Sequence, residues 1–278
     1  ATLSGDRITI GQGHRPRDNV RYAGEDVKVG DRVLLPGRRL LPADLGLLAS
    51  LGINEVRVTR SLRVAFFSTG DELKSAGEPL EPGQLYDSNR YTLYGMLQRL
   101  GVELLDLGVI RDDRDAVRRA FSSAAEIADV VITSGGVSVG EADFVKQTLD
   151  ELGQVDFWRI AMKPGKPLAF GRLGKALFFG LPGNPVSVMV SFEVFARPAI
   201  LTMLGVTDLE KPTVEAILEE EIRSKDERRH YVRVQLTREG DTYRASLTGA
   251  QVLSTPAGTS VFQRLNISEP AISLNSDK

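Results

Sequence analysis

Between residues 62 and 207 short apolar runs alternate with stretches of helical period. "LRVAFFSTGDEL", from residue 62, reads as a buried strand ending in a Ser-Thr-Gly turn. "DSNRYTLYGMLQRLG" has an Asp-Ser start and an apolar face through Leu93, Met96, Leu97 and Leu100, the spacing of an amphipathic helix. "VELLDLGVI" reads as a second strand, "RDAVRRAFSSAAEIA" as a helix, "DVVITSGG" as a third strand and "DFVKQTLDELG" as a third helix. "VDFWRIAMKPGKPLAFGRL" and "KALFFGLPG" supply further strands, and "NPVSVMVSFEVFARPAILTMLG" a long apolar helix. Strands that alternate with helices predict a doubly wound, mostly parallel α/β sheet, with ligands bound beyond the carboxyl ends of its strands.

The flanks read differently. Before residue 62, "DRITIG" and "DRVLLPG" suggest short strands, and "LPADLGLLASLGI" a helix with Pro42 in its first turn and Gly52 at its end. After residue 207, "PTVEAILEEEIRS", "RHYVRVQLTREG" and "DTYRASLTG" predict a small domain of short antiparallel strands. The resulting division is residues 1–25 and 26–61 as two partial N-terminal regions, 62–207 as the α/β domain and 208–278 as a C-terminal β domain.

Composition narrows the chemistry. With 278 residues, 42% hydrophobic and 26% charged, the chain is of ordinary globular make-up. Its net charge of -2 gives no indication of nucleic acid as a partner. The absence of Cys excludes disulfides, thiolate zinc sites and cysteine nucleophiles, and two His make a multi-His metal centre an unfavoured reading. A metal here would be a hard cation held by oxygens. No uninterrupted apolar run reaches the ~18–20 residues of a membrane span, and no signal peptide is evident, so a cytoplasmic protein without a membrane partner is expected. The missing initiator Met suggests a truncated start.

Four polar segments fall at predicted strand ends: Ser68-Thr69-Gly70-Asp71-Glu72, Ile110-Arg111-Asp112-Asp113, Thr133 to Asp143, and a pair formed by Lys163-Pro164-Gly165-Lys166 and Pro182-Gly183-Asn184-Pro185. In the third, Gly135 and Gly136 allow a tight turn. Thr133, Ser134, Ser138 and backbone N–H groups, including that of Val137, would form an anion cradle at a helix start. A plain strand-to-helix connection fits the same residues. Lys163 and Lys166 lie on a proline-stiffened segment suited to phosphate or an oxyanion, or to a solvated turn. Asn184 before Pro185 is a helix cap and a rigid turn on which a ligand can rest. Glu72, Asp112 and Asp143 end three strands of one sheet. They suit a Mg²⁺ site bridging phosphates, or three separate surface and first-turn acids.

Taken together and in order, "FSTGDEL", "YDSNRYTL", "TSGGVSVGEADFVK", "KPGKPLAFG" and "GLPGNPVSVMVSF" closely resemble the MoeA/gephyrin family, the molybdopterin molybdenumtransferases. The resemblance runs from about residue 19 to about residue 250. It implies a MogA-like α/β domain, an elongated homodimer, and a cleft between the α/β domain of one protomer and the C-terminal domain of the other. The implied reaction inserts molybdate into adenylylated molybdopterin and releases AMP, with Mg²⁺ as cofactor. It assigns Glu72, Asp112, Asp143, Lys163 and Asp26 to catalysis, the three strand-end acids also to metal. Thr69, Gly70, the Ser134 to Ser138 cradle, Arg159, Lys166, Pro182, Gly183, Asn184, Pro185 and Arg233 go to substrate binding. A MogA-type adenylyltransferase is the implied partner.

The chain departs from the family pattern at both ends. An "MDGYA"-type N-terminal motif is not found, so that segment and most of a lid domain are expected to be missing. The stretch from Gly249 keeps a Gly-x-Gln start and then diverges, and its last residues read as an unpacked polar tail. Two other readings stay open: a MogA-like molybdopterin adenylyltransferase, and a non-catalytic molybdopterin-binding scaffold.

Overall fold

The computed structural model describes residues 2–11, 13, 15–136, 143–221, 227–248 and 260–264; the side chains of Asp143, Phe144 and 260–264 are outside that description. The chain divides into two compact units, Ala1–Glu55 and Val56–Lys278.

In the first unit, β1 (Thr2–Ser4) and β2 (Arg7–Thr9) form an antiparallel ribbon, so "DRITIG" contains the expected strand. "DRVLLPG" does not form one. Gly37 after Pro36 has φ +83°, the signature of a turn, and no strand among the described residues lies beside the segment to complete its hydrogen bonds. Helix α1 (Pro42–Ser50) starts at Pro42 as expected. Asp44 accepts from the Leu41 N–H (2.8 Å) and from Arg38 (2.8 Å), which lets a buried carboxylate close the helix start. At the other end Gly52 takes φ +72°, and the Ile53 N–H reaches the Leu48 carbonyl (2.9 Å).

The second unit is built on a six-stranded sheet. In chain order its elements are β3 (Arg63–Thr69), the two-residue β4 (Leu73–Lys74) and β5 (Leu85–Tyr86), α2 (Ser88–Gln98), β6 (Glu103–Ile110), α3 (Arg114–Ile127) and β7 (Val130–Ser134). Then follow α4 (Asp143–Leu152), β8 (Gly153–Arg159), the short β9 (Met162–Lys163), β10 (Pro167–Leu173) and β11 (Ala176–Leu181). The strand order is β6-β3-β7-β11-β10-β8: the first four run parallel, and β10 is antiparallel to both its neighbours, β11 and β8. Successive residues of β3 face opposite layers. Ala65 and Phe67 pack with Val117, Phe121 and Leu149 of α3 and α4; Val64 and Phe66 pack with Leu93 and Leu97 of α2 on the other side. Burial on both faces explains why these strands read as continuous apolar runs.

The long helix is α5 (Pro185–Ser191), a π turn over Phe192–Ala196, and α6 (Arg197–Met203). Pro198 has no N–H to offer the preceding turn, and the widened turn lies directly ahead of it. This is the one helix among the described residues that is long and apolar enough to cross a membrane. Val188, Phe192, Ala196 and Ile200 lie in the core against the sheet, the arrangement of a buried core helix.

The C-terminal strands are β12 (Ala216–Leu218), β13 (Arg229–Glu239), β14 (Thr242–Leu247) and β15 (Ser260–Arg264), in the order β12-β14-β13-β15. β13 is antiparallel to β14, as expected, and also to β15, a strand the sequence reading did not include; β12, expected to be antiparallel, runs parallel to β14. The β13–β14 hairpin turns at Gly240 (φ +62°) and has local hydrogen bonds. β12 has no adjacent turn to set its direction. β9 pairs parallel with β13, with His230 opposite Lys163, so the lysine segment is stitched to the C-terminal sheet.

Candidate active site

Helix α2, which follows β3, covers one face of the sheet, and α4, which follows β7, covers the other. β3 and β7 are neighbours, so the chain parts between them and leaves a crevice at their carboxyl ends. Thr69 and Ser134 end these two strands, and Leu181 ends the adjacent β11. The first, third and fourth polar segments therefore leave the sheet side by side.

Close backbone packing fixes their approach. Gly135 and Gly136 both take positive φ, +87° and +66°. A Cβ on Gly135 would lie 2.7 Å from the Thr69 carbonyl oxygen, and one on Gly136 2.7 Å from Thr69 Oγ1. Glycine is required there twice over, by conformation and by space. The Gly135 N–H donates to the Leu181 carbonyl (3.1 Å), tying the β7 exit to β11. Gly70 has φ +150°, and the Glu72 carboxylate folds back over it, 2.6 Å from where a Cβ would sit. Asp71 Oδ1 accepts from the Asp112 N–H (3.1 Å), which joins the β3 exit to the β6 exit.

Glu72 and Asp112 are exposed at these two adjoining turns. Beside them is a cavity of about 640 Å³ lined by Gly70, Asp71, Asp112 and Asp113 and by Glu78 and Glu81. Among the described residues no group of three or more metal-ligating side chains is assembled. The third expected acid, Asp143, opens α4, but its side chain lies outside the described residues, as do Val137 and Ser138.

Lys163 and Lys166 are exposed, on either side of the cis Lys163–Pro164 bond and Gly165. Gly165 (φ +95°) presses on Ser191: a Cβ there would lie 2.7 Å from Ser191 Oγ, a fully buried hydroxyl with no hydrogen-bond partner among the described residues. The Ile160 N–H donates to the Lys166 carbonyl (2.8 Å), closing the lysine loop onto Arg159's neighbour. Arg159 is exposed at the end of β8. Pro182 is buried, Gly183 and Asn184 are exposed, and Asn184 Oδ1 caps α5 by accepting from the Val186 (3.1 Å) and Ser187 (3.2 Å) N–H groups. Pro185 is the first residue of that helix. Arg233, on β13, is buried, and its carbonyl accepts from Thr248. Asp26 lies in the first unit, exposed and paired with Arg21 at 3.0 Å.

One residue absent from the sequence-based assignment is central here. Asn89, the second residue of α2, is buried, and its Nδ2 donates both to Ser134 Oγ (2.8 Å) and to the Gly183 carbonyl (2.7 Å). The available signal was an Asn directly after an Asp-Ser helix start, where Asp87 alone suffices as cap by accepting from the Arg90 N–H (3.1 Å). Thr69 Oγ1, Ser68 Oγ and Asn89 Oδ1 are buried without partners among the described residues, so the floor of the crevice retains hydrogen-bonding capacity.

Fold and site thus define a doubly wound α/β protein with a glycine-lined, anion-suited crevice at its topological switch point. Residues 65–202 match the family model described as a probable molybdopterin binding domain, and residues 3–52 match the MoeA N-terminal region, domains I and II. The molybdopterin molybdenumtransferase of Haemophilus influenzae is 52% identical over 212 residues, 76% of this chain and 52% of the relative. Molybdopterin molybdenumtransferase 2 of Mycobacterium tuberculosis is 37% identical over 243 residues, 85% of this chain and 60% of the relative. The crystal structure of a molybdopterin biosynthesis MoeA protein from Pyrococcus horikoshii superimposes with a TM-score of 0.65 at 36% identity, covering 76% of this chain and 51% of that one. The chain belongs to the MoeA family. It spans about half the length of the curated relatives it matches.

Proposed function

We propose that the chain carries the molybdopterin-binding part of a molybdopterin molybdenumtransferase, which inserts molybdate into adenylylated molybdopterin and releases AMP. The observation that carries this reading is the convergence of the β3, β7 and β11 exits around Gly135 and Gly136. Beside it the Ser68 and Thr69 hydroxyls are buried without partners among the described residues, where an anionic pterin phosphate would be held. The relatives named molybdopterin molybdenumtransferase supply the substrate class.

In this reading Thr69, Gly70 and the Ser134–Gly136 loop bind the phosphate side of the substrate, and Val137 and Ser138 are assigned to the same role on the family resemblance. Lys163, Lys166 and Arg159 offset the charge of phosphate and molybdate; a fixed cation is worth most where the substrate excludes water. The Pro182-Gly183-Asn184-Pro185 turn supplies a rigid wall. Glu72 and Asp112, with Asp143, offer only hard carboxylate oxygens, a donor set that fits Mg²⁺. When bound, the cation would neutralise charge developing on the leaving phosphate. Asp26 and Arg233 are assigned to the same chemistry on the family resemblance, as are a homodimer, a MogA-type adenylyltransferase partner and a cytoplasmic setting. The match of residues 3–52 to the MoeA N-terminal region favours this reading over a stand-alone adenylyltransferase.

The test is molybdate-dependent AMP release from adenylylated molybdopterin in the presence of Mg²⁺. Glu72→Gln and Asp143→Asn are expected to abolish it. Adenylylation of molybdopterin from Mg-ATP instead would replace this reading with the adenylyltransferase, and full activity in both variants would remove the carboxylates from the mechanism.

A further inference from the structure

Thr69, Gly70, Ser134 and the Pro182–Asn184 turn lie at the exits of β3, β7 and β11. Asn89 lies on a helix below them, 7% exposed, and joins two of those exits through one side chain. Its partners are 45 and 94 residues away in the chain, so the bonds are tertiary cross-links. The Gly183 carbonyl can only accept, which fixes the amide nitrogen on that side. Ser134 Oγ, 1% exposed, is the second acceptor of the same nitrogen, so its own hydrogen points away from α2. The two exits are also joined through the backbone, where the Gly135 N–H donates to the Leu181 carbonyl (3.1 Å).

We propose that Asn89 is a positioning residue that clamps the Ser134–Gly136 cradle to the Pro182–Asn184 turn and makes Ser134 a hydrogen-bond donor toward the bound phosphate. The donor's target rests on the functional reading above; the clamp itself does not. A carboxamide suits the task because it supplies two hydrogens from one atom at the reach required. An aspartate has the same shape and no such hydrogens, and it would place negative charge against a carbonyl oxygen and beside an anion cradle.

Two measurements on the full chain test this. The first is amide hydrogen exchange without ligand, comparing Asn89→Ala and the isosteric Asn89→Asp with the parent. Peptides spanning 130–136 and 179–185 are expected to lose protection together in both variants. Faster exchange confined to residues 88–98 would overturn the clamp. The second is steady-state AMP release with adenylylated molybdopterin varied. The clamp predicts a KM raised about tenfold or more in Asn89→Asp, and a double variant with Ser134→Ala no worse than the worse single variant. An unchanged KM with a lower kcat would mean only fewer folded molecules and would overturn the positioning role. Additive costs would overturn the action through Ser134. If the parent chain releases no AMP, the functional reading fails by itself and the exchange result decides the clamp: joint loss sustains it, independent loss overturns it.

Discussion

Gly135 and Gly136 show how narrowly single positions are determined. Each combines positive φ with a backbone or hydroxyl oxygen 2.7 Å from the position a Cβ would take. Gly135→Ala is expected to destabilise the fold by about 1–3 kcal/mol, because the Thr69 carbonyl cannot move without disturbing β3. It should also lower ligand affinity disproportionately. Chemical denaturation and molybdopterin binding on the same sample check both. At Gly165 the neighbour is the Ser191 side chain, so Gly165→Ala combined with Ser191→Ala should recover part of the stability that Gly165→Ala alone loses, read as the denaturation midpoint. The sequence marked these glycines as turn formers. It could not identify what they approach, since Thr69 and Ser191 are distant in the chain. Asn89 escaped notice for the same reason: nothing in "DSNRYTL" records that its amide meets residues 134 and 183.

Elements were the most legible level, because apolar periodicity acts within a few turns or strand residues. All the helices read from the pattern are present, and Asn184 and Asp87 cap α5 and α2 as their positions suggested. Asn184→Ala should cost about 1 kcal/mol through the Val186 and Ser187 N–H groups it leaves without their cap, measured by urea unfolding. The misread elements, "DRVLLPG" and the direction of β12, depend on a partner strand that local pattern does not encode. At the end of the sheet opposite the crevice, Asp129 stands between α3 and β7. Arg60 grips it from two nitrogens (2.5 and 2.7 Å) and the Arg63 N–H donates to it (2.8 Å). The Arg60 hydrogen bonds, then the backbone one, hold its carboxyl down at about 2. A lowered folded-state value stabilises above the unfolded carboxyl range, and that contribution is lost as pH falls from about 4 towards 2. Because Arg60 is largely exposed, the effect is put at about 1 kcal/mol. Asp129→Asn should therefore lose stability at pH 7 but show a shallower loss between pH 4 and pH 2, followed by urea midpoints.

For the whole molecule, the chain passes from one compact unit to the other between Glu55 and Val56, and residues 54–61 are exposed and without regular structure. Limited trypsin digestion is expected to cut first at Arg57, where an exposed backbone can enter a protease, while Arg60 is protected by its pairing with Asp129. Mass spectrometry of the early products checks this; first cleavage within 62–136 would contradict it. The α/β class, the helices and their caps, and the polar segments at strand ends are legible in the amino-acid order, since each follows from side-chain periodicity and local backbone chemistry. The strand order that sets β3, β7 and β11 side by side, the pairing of β9 with β13, and the meeting of Asn89 with Ser134 and Gly183 arise only in the folded chain. Those contacts join residues far apart in the chain, and their geometry is set by how the layers pack together.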